Sequence, residues 1–188
     1  MERHPNLLRR EESVLVVVDV QDSLLDVIHG RDALVANCLL LCRSAATLDI
    51  PILATTQYAA RLGPVQPEIA QTLSAAGMPG PIDKLTFSCA GSDDLAEALS
   101  RTGRRQVVLC GVETHVCVSQ TAHDLLASGL QVHVAADASS SRTLERHKLG
   151  MERIRDSGIL PCASEAAVYE WLYRAGTPEF KEILKLVR

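Results

Sequence analysis

Three side chains far apart in this sequence could do covalent chemistry together: the carboxylate of Asp19, the ammonium of Lys84 and the thiol of Cys117. Cys117 ends the segment Gly111-Val112-Glu113-Thr114-His115-Val116-Cys117, which follows the apolar run Gln106-Val107-Val108-Leu109-Cys110. A helical pattern with Val118, Ala122, Leu125 and Leu126 on one side comes next. This predicts a strand ending at Gly111 and a helix opening near the cysteine. A thiol there faces unpaired backbone N–H groups and the positive end of the helix dipole, both of which favour the nucleophilic thiolate. The same N–H groups would form an oxyanion hole.

Asp19 closes the apolar run that starts at Ser13, where partial burial would raise its pKa and suit it to general-base work. Gln21 could orient it, and Asp22 reads as the cap of a turn carrying Leu24 and Leu25. Lys84, in Asp83-Lys84-Leu85-Thr86-Phe87-Ser88, would lower the thiol pKa and stabilise an anionic intermediate if it lies beside the other two. Each residue alone has a commonplace reading: a helix-capping Asp, a solvated Lys, a packing Cys. His115 stands two positions before Cys117, points elsewhere on a helix, and is placed at the pocket edge or surface. His123, His133 and His147 are isolated and read as structural. The sequence has no zinc-finger, H-x-H or H-E-x-x-H spacing, no P-loop and no G-x-G-x-x-G after the first strand, so neither a metal nor a cofactor is expected.

The elements that must position these residues alternate strand and helix. Predicted strands are Ser13–Val20, Pro51–Thr55, Ile82–Phe87, Gln106–Gly111, Leu130–Ala136 and Ile159–Cys162. Predicted helices cover 31–48, 68–76, 93–101, 116–128, 142–157, 164–174 (capped by Ser164) and from Pro178 onward, with 57–67 as a loop. That pattern implies an α/β, Rossmann-like fold with a mainly parallel sheet of about six strands, and a ligand site beyond the strands' carboxyl ends. One domain is expected over 1–188, with 1–12 a polar tail and 176–188 an exposed C-terminal helix. The chain is 47% apolar but only 3% aromatic, so its core must be Leu, Val, Ile and Ala. A formal charge of −4 gives nucleic-acid binding no electrostatic support. No run is long enough for a membrane span and no signal peptide opens the chain, so a cytoplasmic protein is expected. The six cysteines read as free thiols of a reducing compartment. Cys38, Cys42, Cys110 and Cys162 read as packing residues, and Cys89 lies in a loop where nothing local activates it.

Together, Val-Val-Asp19-Val-Gln-Asp, Lys84-Leu-Thr-Phe-Ser and Gly-Val-Glu-Thr-His-Val-Cys117 resemble the isochorismatase-like cysteine hydrolases, in order and spacing, from Ser13 to about Ala167. The isochorismatase domain-containing branch is the nearer resemblance. It rests on Ala54-Thr55-Thr56-Gln57-Tyr58, Leu62-Gly63-Pro64, Leu130-Gln131-Val132-His133-Val134, Asp137-Ala138-Ser139-Ser140-Ser141-Arg142 and Phe180-Lys181-Glu182-Ile183. The resemblance implies a three-layer α/β/α sandwich, a catalytic triad of Asp19, Lys84 and Cys117, and a cis peptide between Val112 and Glu113. The backbone N–H groups of Glu113 and Cys117 would then form the oxyanion hole. It further implies hydrolysis of a small amide or related C–N bond through a thioester, and a homo-oligomer. Gln21, Gln57, Tyr58 and Phe87 are candidate substrate contacts.

Departures from the family narrow the reading. Nicotinamidases of the superfamily carry a D-x-H metal site where this chain has Thr56-Gln57-Tyr58-Ala59-Ala60, which disfavours that activity. True isochorismatases lack the cysteine. The alternatives are a silent family member used as a binding or scaffold module, a metal-independent isochorismatase-type hydrolase, and a redox-sensing thiol resolved by Cys89 or Cys162.

Overall fold

Runs of Val, Ile and Leu without polar alternation suit strands covered on both faces, and they form the sheet here. The computed structural model describes residues 3–187. The strands are β1 (Ser13–Val18), β2 (Ile52–Gln57), β3 (Ile82–Lys84), β4 (Gln106–Val112), β5 (Gln131–Ser140) and β6 (Leu160–Cys162). They lie in the order β3-β2-β1-β4-β5-β6, and every strand pairing is parallel. The chain starts mid-sheet, runs out to β3, and returns to β4 on the other side of β1. The connections leaving β1 and β4 therefore diverge, which opens a crevice at their carboxyl ends.

The helices are α1 (Asp22–Leu25), α2 (Arg31–Thr47), α3 (Ala59–Leu62), α4 (Pro67–Ala75), α5 (Asp93–Thr102), α6 (Ser119–Ala127), α7 (Leu144–Asp156), α8 (Ser164–Leu172) and α9 (Pro178–Ile183). Alternate β1 side chains serve two cores. Leu15 and Val17 pack with Leu34, Cys38, Leu41 and Ala45 of α2 and Val168 and Trp171 of α8. Val14, Val16 and Val18 pack with Leu95 and Leu99 of α5, Ala122 and Leu125 of α6, and Ile154 of α7. The result is the expected three-layer α/β/α sandwich.

Several local expectations change. Residues 57–67 hold the short α3 rather than only loop. β3 stops at Lys84, so Leu85 to Ser88 form the site's wall instead of a strand. β5 runs four residues beyond the expected Ala136, because it bulges between its pairings Leu109↔Val134 and Gly111↔Ser139 before rejoining β4. Ser164 is not the cap of α8: it lies inside the first turn, and its hydroxyl donates to Asp137 Oδ1 at 2.7 Å. The polar amino-terminal segment is anchored, with Leu8 fully buried and its N–H on Glu170 Oε2 at 2.8 Å. Likewise α9 is docked, since Ile183 belongs to the first core.

Candidate active site

Asp19 follows β1 in the left-handed region, with φ of 51°. This conformation is costly for most residues and least so for Asp and Asn. Its carboxylate is fully buried, and both oxygens are engaged. Oδ2 accepts from Lys84 Nζ at 2.7 Å, and Oδ1 accepts from Thr55 Oγ1 at 2.7 Å. Thr55 stands on the neighbouring β2 and also accepts from the Asp19 N–H at 3.3 Å. Cys89 Sγ lies behind it, 3.6 Å from the same hydroxyl.

Lys84 ends the edge strand, and its side chain is 1% exposed. Its ammonium faces four acceptors: Asp19 Oδ2 and Gln57 Oε1 at 2.7 Å, Thr86 O at 3.2 Å and Phe87 O at 3.3 Å. Burying two charges costs several kcal/mol each unless the pair is well hydrogen-bonded. The turn after β3 and the Gln57 amide meet that condition. Gln57 Nε2 in turn donates to Leu85 O at 3.0 Å.

Cys117 enters from the other side of β1. β4 ends beside Asp19, with Gly111 in register with Val18. At φ of 118°, a Cβ on Gly111 would meet Val18 O at 2.1 Å, so only glycine permits this approach. The Val112–Glu113 peptide is cis. A π-helical turn, Thr114–Val118, then leads into α6 and presents Cys117 on the Asp19 side. Cys117 is 7% exposed. Its pKa is pushed up to about 12, first by burial and then by the Asp19 charge, against a smaller opposing effect of Lys84. This corrects the expected resting thiolate: desolvation and a facing carboxylate outweigh the helix end and the ammonium.

Other side chains fasten this turn. Glu113 Oε2 accepts from the Arg142 N–H at 3.2 Å and Nε at 3.0 Å, tying the turn to the end of β5. Thr114 Oγ1 and His147 Nδ1 are 2.9 Å apart, so His147 is a brace rather than an isolated histidine. His115 Nδ1 pairs with Ser141 Oγ at 2.9 Å and is fixed at the end of β5. On α7, a Cβ on Gly150 would stand 3.0 Å from the His115 backbone, so the absence of a side chain there lets the helix close on the turn.

The structure thus brings Asp19, Lys84 and Cys117 to one crevice and separates the four candidate substrate contacts. Gln21 is fully buried and spends its amide on the last residue of β2 and the segment after it. Its Oε1 accepts from the Gln57 N–H at 2.8 Å, while Nε2 donates to Gln57 O at 3.2 Å and Gly63 O at 2.7 Å. Gln57 holds Lys84. Tyr58 and Phe87 stand at the rim, 43% and 55% exposed, beside the exposed Leu85. Sequence reasoning gave no role to Thr55, Arg142 or Gly150 and understated His147. The one available signal was Thr55-Thr56 within a strand buried on both faces, where hydroxyls need partners. Among the described residues, no group of three or more His, Cys, Asp or Glu is placed to hold a metal.

Comparison with known proteins places the fold in a family. The isochorismatase domain family matches residues 13–166. The secreted isochorismatase effector Isc1 of Phytophthora sojae is 40% identical, covering 94% of this chain and 84% of its own length. Isochorismatase domain-containing protein 2A of Mus musculus is 37% identical, over 95% of this chain and 84% of its own. Among solved structures, the MAR1 ribonuclease of Caenorhabditis elegans superposes with a TM-score of 0.86 at 32% identity, covering 96% of this chain and 91% of that one. The YcaC gene product of Escherichia coli, described as an octameric hydrolase of unknown specificity, gives a TM-score of 0.89 at 21% identity, over 99% and 92% of the two chains. It shares the fold. The chain therefore belongs to the isochorismatase family, in the branch of the isochorismatase domain-containing proteins.

Proposed function

We propose that this protein is a metal-independent cysteine hydrolase of a small amide or related C–N bond, with Asp19 as general base, Cys117 as nucleophile and Lys84 as the cation that holds Asp19. The observation that carries the reading is a buried Lys84–Asp19 pair of 2.7 Å at the crevice that also holds the buried Cys117. Burial and the Asp19 charge hold the thiol in its protonated form at neutral pH. Sulfur attack therefore needs its proton removed in the same step, and Asp19 is the base that faces it. The proton passes to Asp19 as Sγ bonds to the carbonyl carbon. The oxyanion is held by the N–H groups of Glu113 and Cys117. Asp19 returns the proton to the leaving nitrogen as the C–N bond breaks. Water, deprotonated by Asp19, then cleaves the thioester and releases the acid and the free thiol.

Thr55 serves this scheme as a positioning residue, because its hydroxyl fixes Asp19 Oδ1. Tyr58 and Phe87 offer apolar surface to the substrate at the rim. A homo-oligomer belongs to the same reading, by analogy with the octameric Escherichia coli relative. Light scattering of the purified protein checks it, and a monomer would remove that part.

The decisive experiment is an ammonia-release screen over small amides with intact-mass detection of an acyl adduct. Turnover is expected with wild type, none with Cys117→Ala, and a loss of at least about a hundredfold with Asp19→Asn. Retained turnover in Cys117→Ala overturns the nucleophile. A second reading as a ribonuclease draws on the name of the Caenorhabditis elegans relative. The net charge of −4 opposes it, and RNA cleavage that survives Cys117→Ala would favour it over the amidase.

A further inference from the structure

The opposite pole of the sheet, about 20 Å from Asp19 across the six residues of β1, holds a cavity of about 560 Å³. Its wall includes four arginines, Arg3, Arg9, Arg10 and Arg174, against two carboxylates, Glu11 and Glu179, together with Trp171. A concentration of guanidinium groups is unexpected on a chain of net charge −4. Part of it serves the fold, because α2 and α8 both end here and their last carbonyls are electronegative. Arg10 donates to Leu48 O past the end of α2, pairs with Asp49 at 2.9 Å, and approaches Glu179 at 3.7 Å. Arg3 donates to Glu170 O in the last turn of α8 at 3.1 Å and stacks 4.7 Å over the Tyr173 ring.

Arg9 and Arg174 have no such account. Arg9 is half-buried, and its guanidinium donates to Arg3 O at 3.2 Å. Among the described residues, neither Arg9 nor Arg174 has a carboxylate partner. Arg174 is exposed, but Arg9 is partly withdrawn from water with no carboxylate facing it, and an anion at this wall would offset both charges. A second observation comes from the same wall: Trp171 is 2% exposed, and its indole N–H has no acceptor among the described residues. Buried donors normally have one.

We propose that this cavity binds a phosphorylated small molecule, with the phosphoryl group between Arg9 and Arg174 and the Trp171 ring in the wall beside it. Guanidinium forks match the several oxygens of a phosphoryl dianion. The volume exceeds that of the bare anion and leaves room for an organic portion. The site is separate from the crevice at the carboxyl pole and independent of the chemistry proposed there.

Trp171 is the only tryptophan in the chain, so its intrinsic fluorescence reports on this cavity alone. The protein is titrated with inorganic pyrophosphate, with citrate, and with sodium chloride at matched ionic strength. Pyrophosphate is expected to give a saturable change, with a midpoint at least tenfold below that of citrate. The change should persist in Cys117→Ala and be lost in Arg9→Ala/Arg174→Ala. Should that double variant lose its circular dichroism, Arg174→Gln alone, at an exposed position, must raise the midpoint at least threefold. A response equal to that of chloride, a citrate midpoint as low as that of pyrophosphate, or an unchanged midpoint in the arginine variants overturns the proposal.

Discussion

At the carboxyl pole, Lys84 and Asp19 form a 2.7 Å ion pair with side chains 1% and 0% exposed; at the amino pole, Arg10 and Asp49 form a 2.9 Å pair with side chains 32% and 88% exposed. The bond lengths are alike and the settings opposite. The first pair is enclosed by strand ends, saturated with hydrogen bonds and set against a thiol. The second lies on the surface between chain segments. Bond length therefore says little about what a charge contributes. The number of alternative partners, water included, says more.

The largest effect should come from the backbone that encloses the buried pair. Gly111→Ala would drive a methyl group to 2.1 Å from Val18 O, between the two strands that carry Asp19 and Cys117. Neither strand can yield, since each is buried on both faces. We expect little or no folded protein, measured as the soluble, cooperatively melting fraction. A well-folded Gly111→Ala variant would mean the carboxyl pole has slack that its geometry denies.

Breaking the pair itself comes next. Asp19→Ala or Lys84→Met leaves a partner buried and uncompensated and should cost about 3–5 kcal/mol in urea unfolding. The double variant Asp19→Leu/Lys84→Met should recover much of that stability while losing all activity. If each single variant costs under about 1 kcal/mol, the crevice is wetter than its burial indicates, and the contrast between the poles fails.

How far the sequence could anticipate these features depends on whether they are local. The sheet was legible because continuous β-branched runs alternate with Leu/Ala stripes, and that alternation admits few topologies. Asp19, Lys84 and Cys117 were legible because polar residues at the close of apolar strands stand out. Thr55 was not, since its role follows from lying across from Asp19 on an adjacent strand, a matter of register. Gly150 and His147 depend on how α7 packs on the turn before α6. The protonation of Cys117 was misjudged for a related reason. The helix end can be read locally, whereas desolvation by residues distant in sequence cannot.

Between the poles the sheet should tolerate no charge, and His133 tests this. Its imidazole on β5 is 2% exposed, and burial lowers its pKa to about 4. The unfolded chain takes up the proton near pH 6.5, whereas the folded protein resists it. The contribution is therefore intact above about pH 6.5 and declines as pH falls toward 4, by about 3 kcal/mol in total. Urea midpoints at pH 7.5 and 4.5 should differ more for wild type than for His133→Leu. Equal differences would place the acid sensitivity elsewhere.

The smallest effect closes the comparison. Asp49 is 88% exposed at its side chain, so its attraction to Arg10 is screened by water and salt. Removing it also leaves Arg10 with Leu48 O and Glu179. A double-mutant cycle over Arg10→Ala and Asp49→Ala should give a coupling below about 1 kcal/mol, shrinking further in 0.5 M salt. Arg10→Ala alone should cost more than Asp49→Ala, because the arginine also satisfies a carbonyl past the end of α2. The asymmetry is informative in itself: on the surface a cation matters through the helix end it serves, not through the carboxylate it meets. A coupling of several kcal/mol would show that the amino pole confines its charges as the carboxyl pole does.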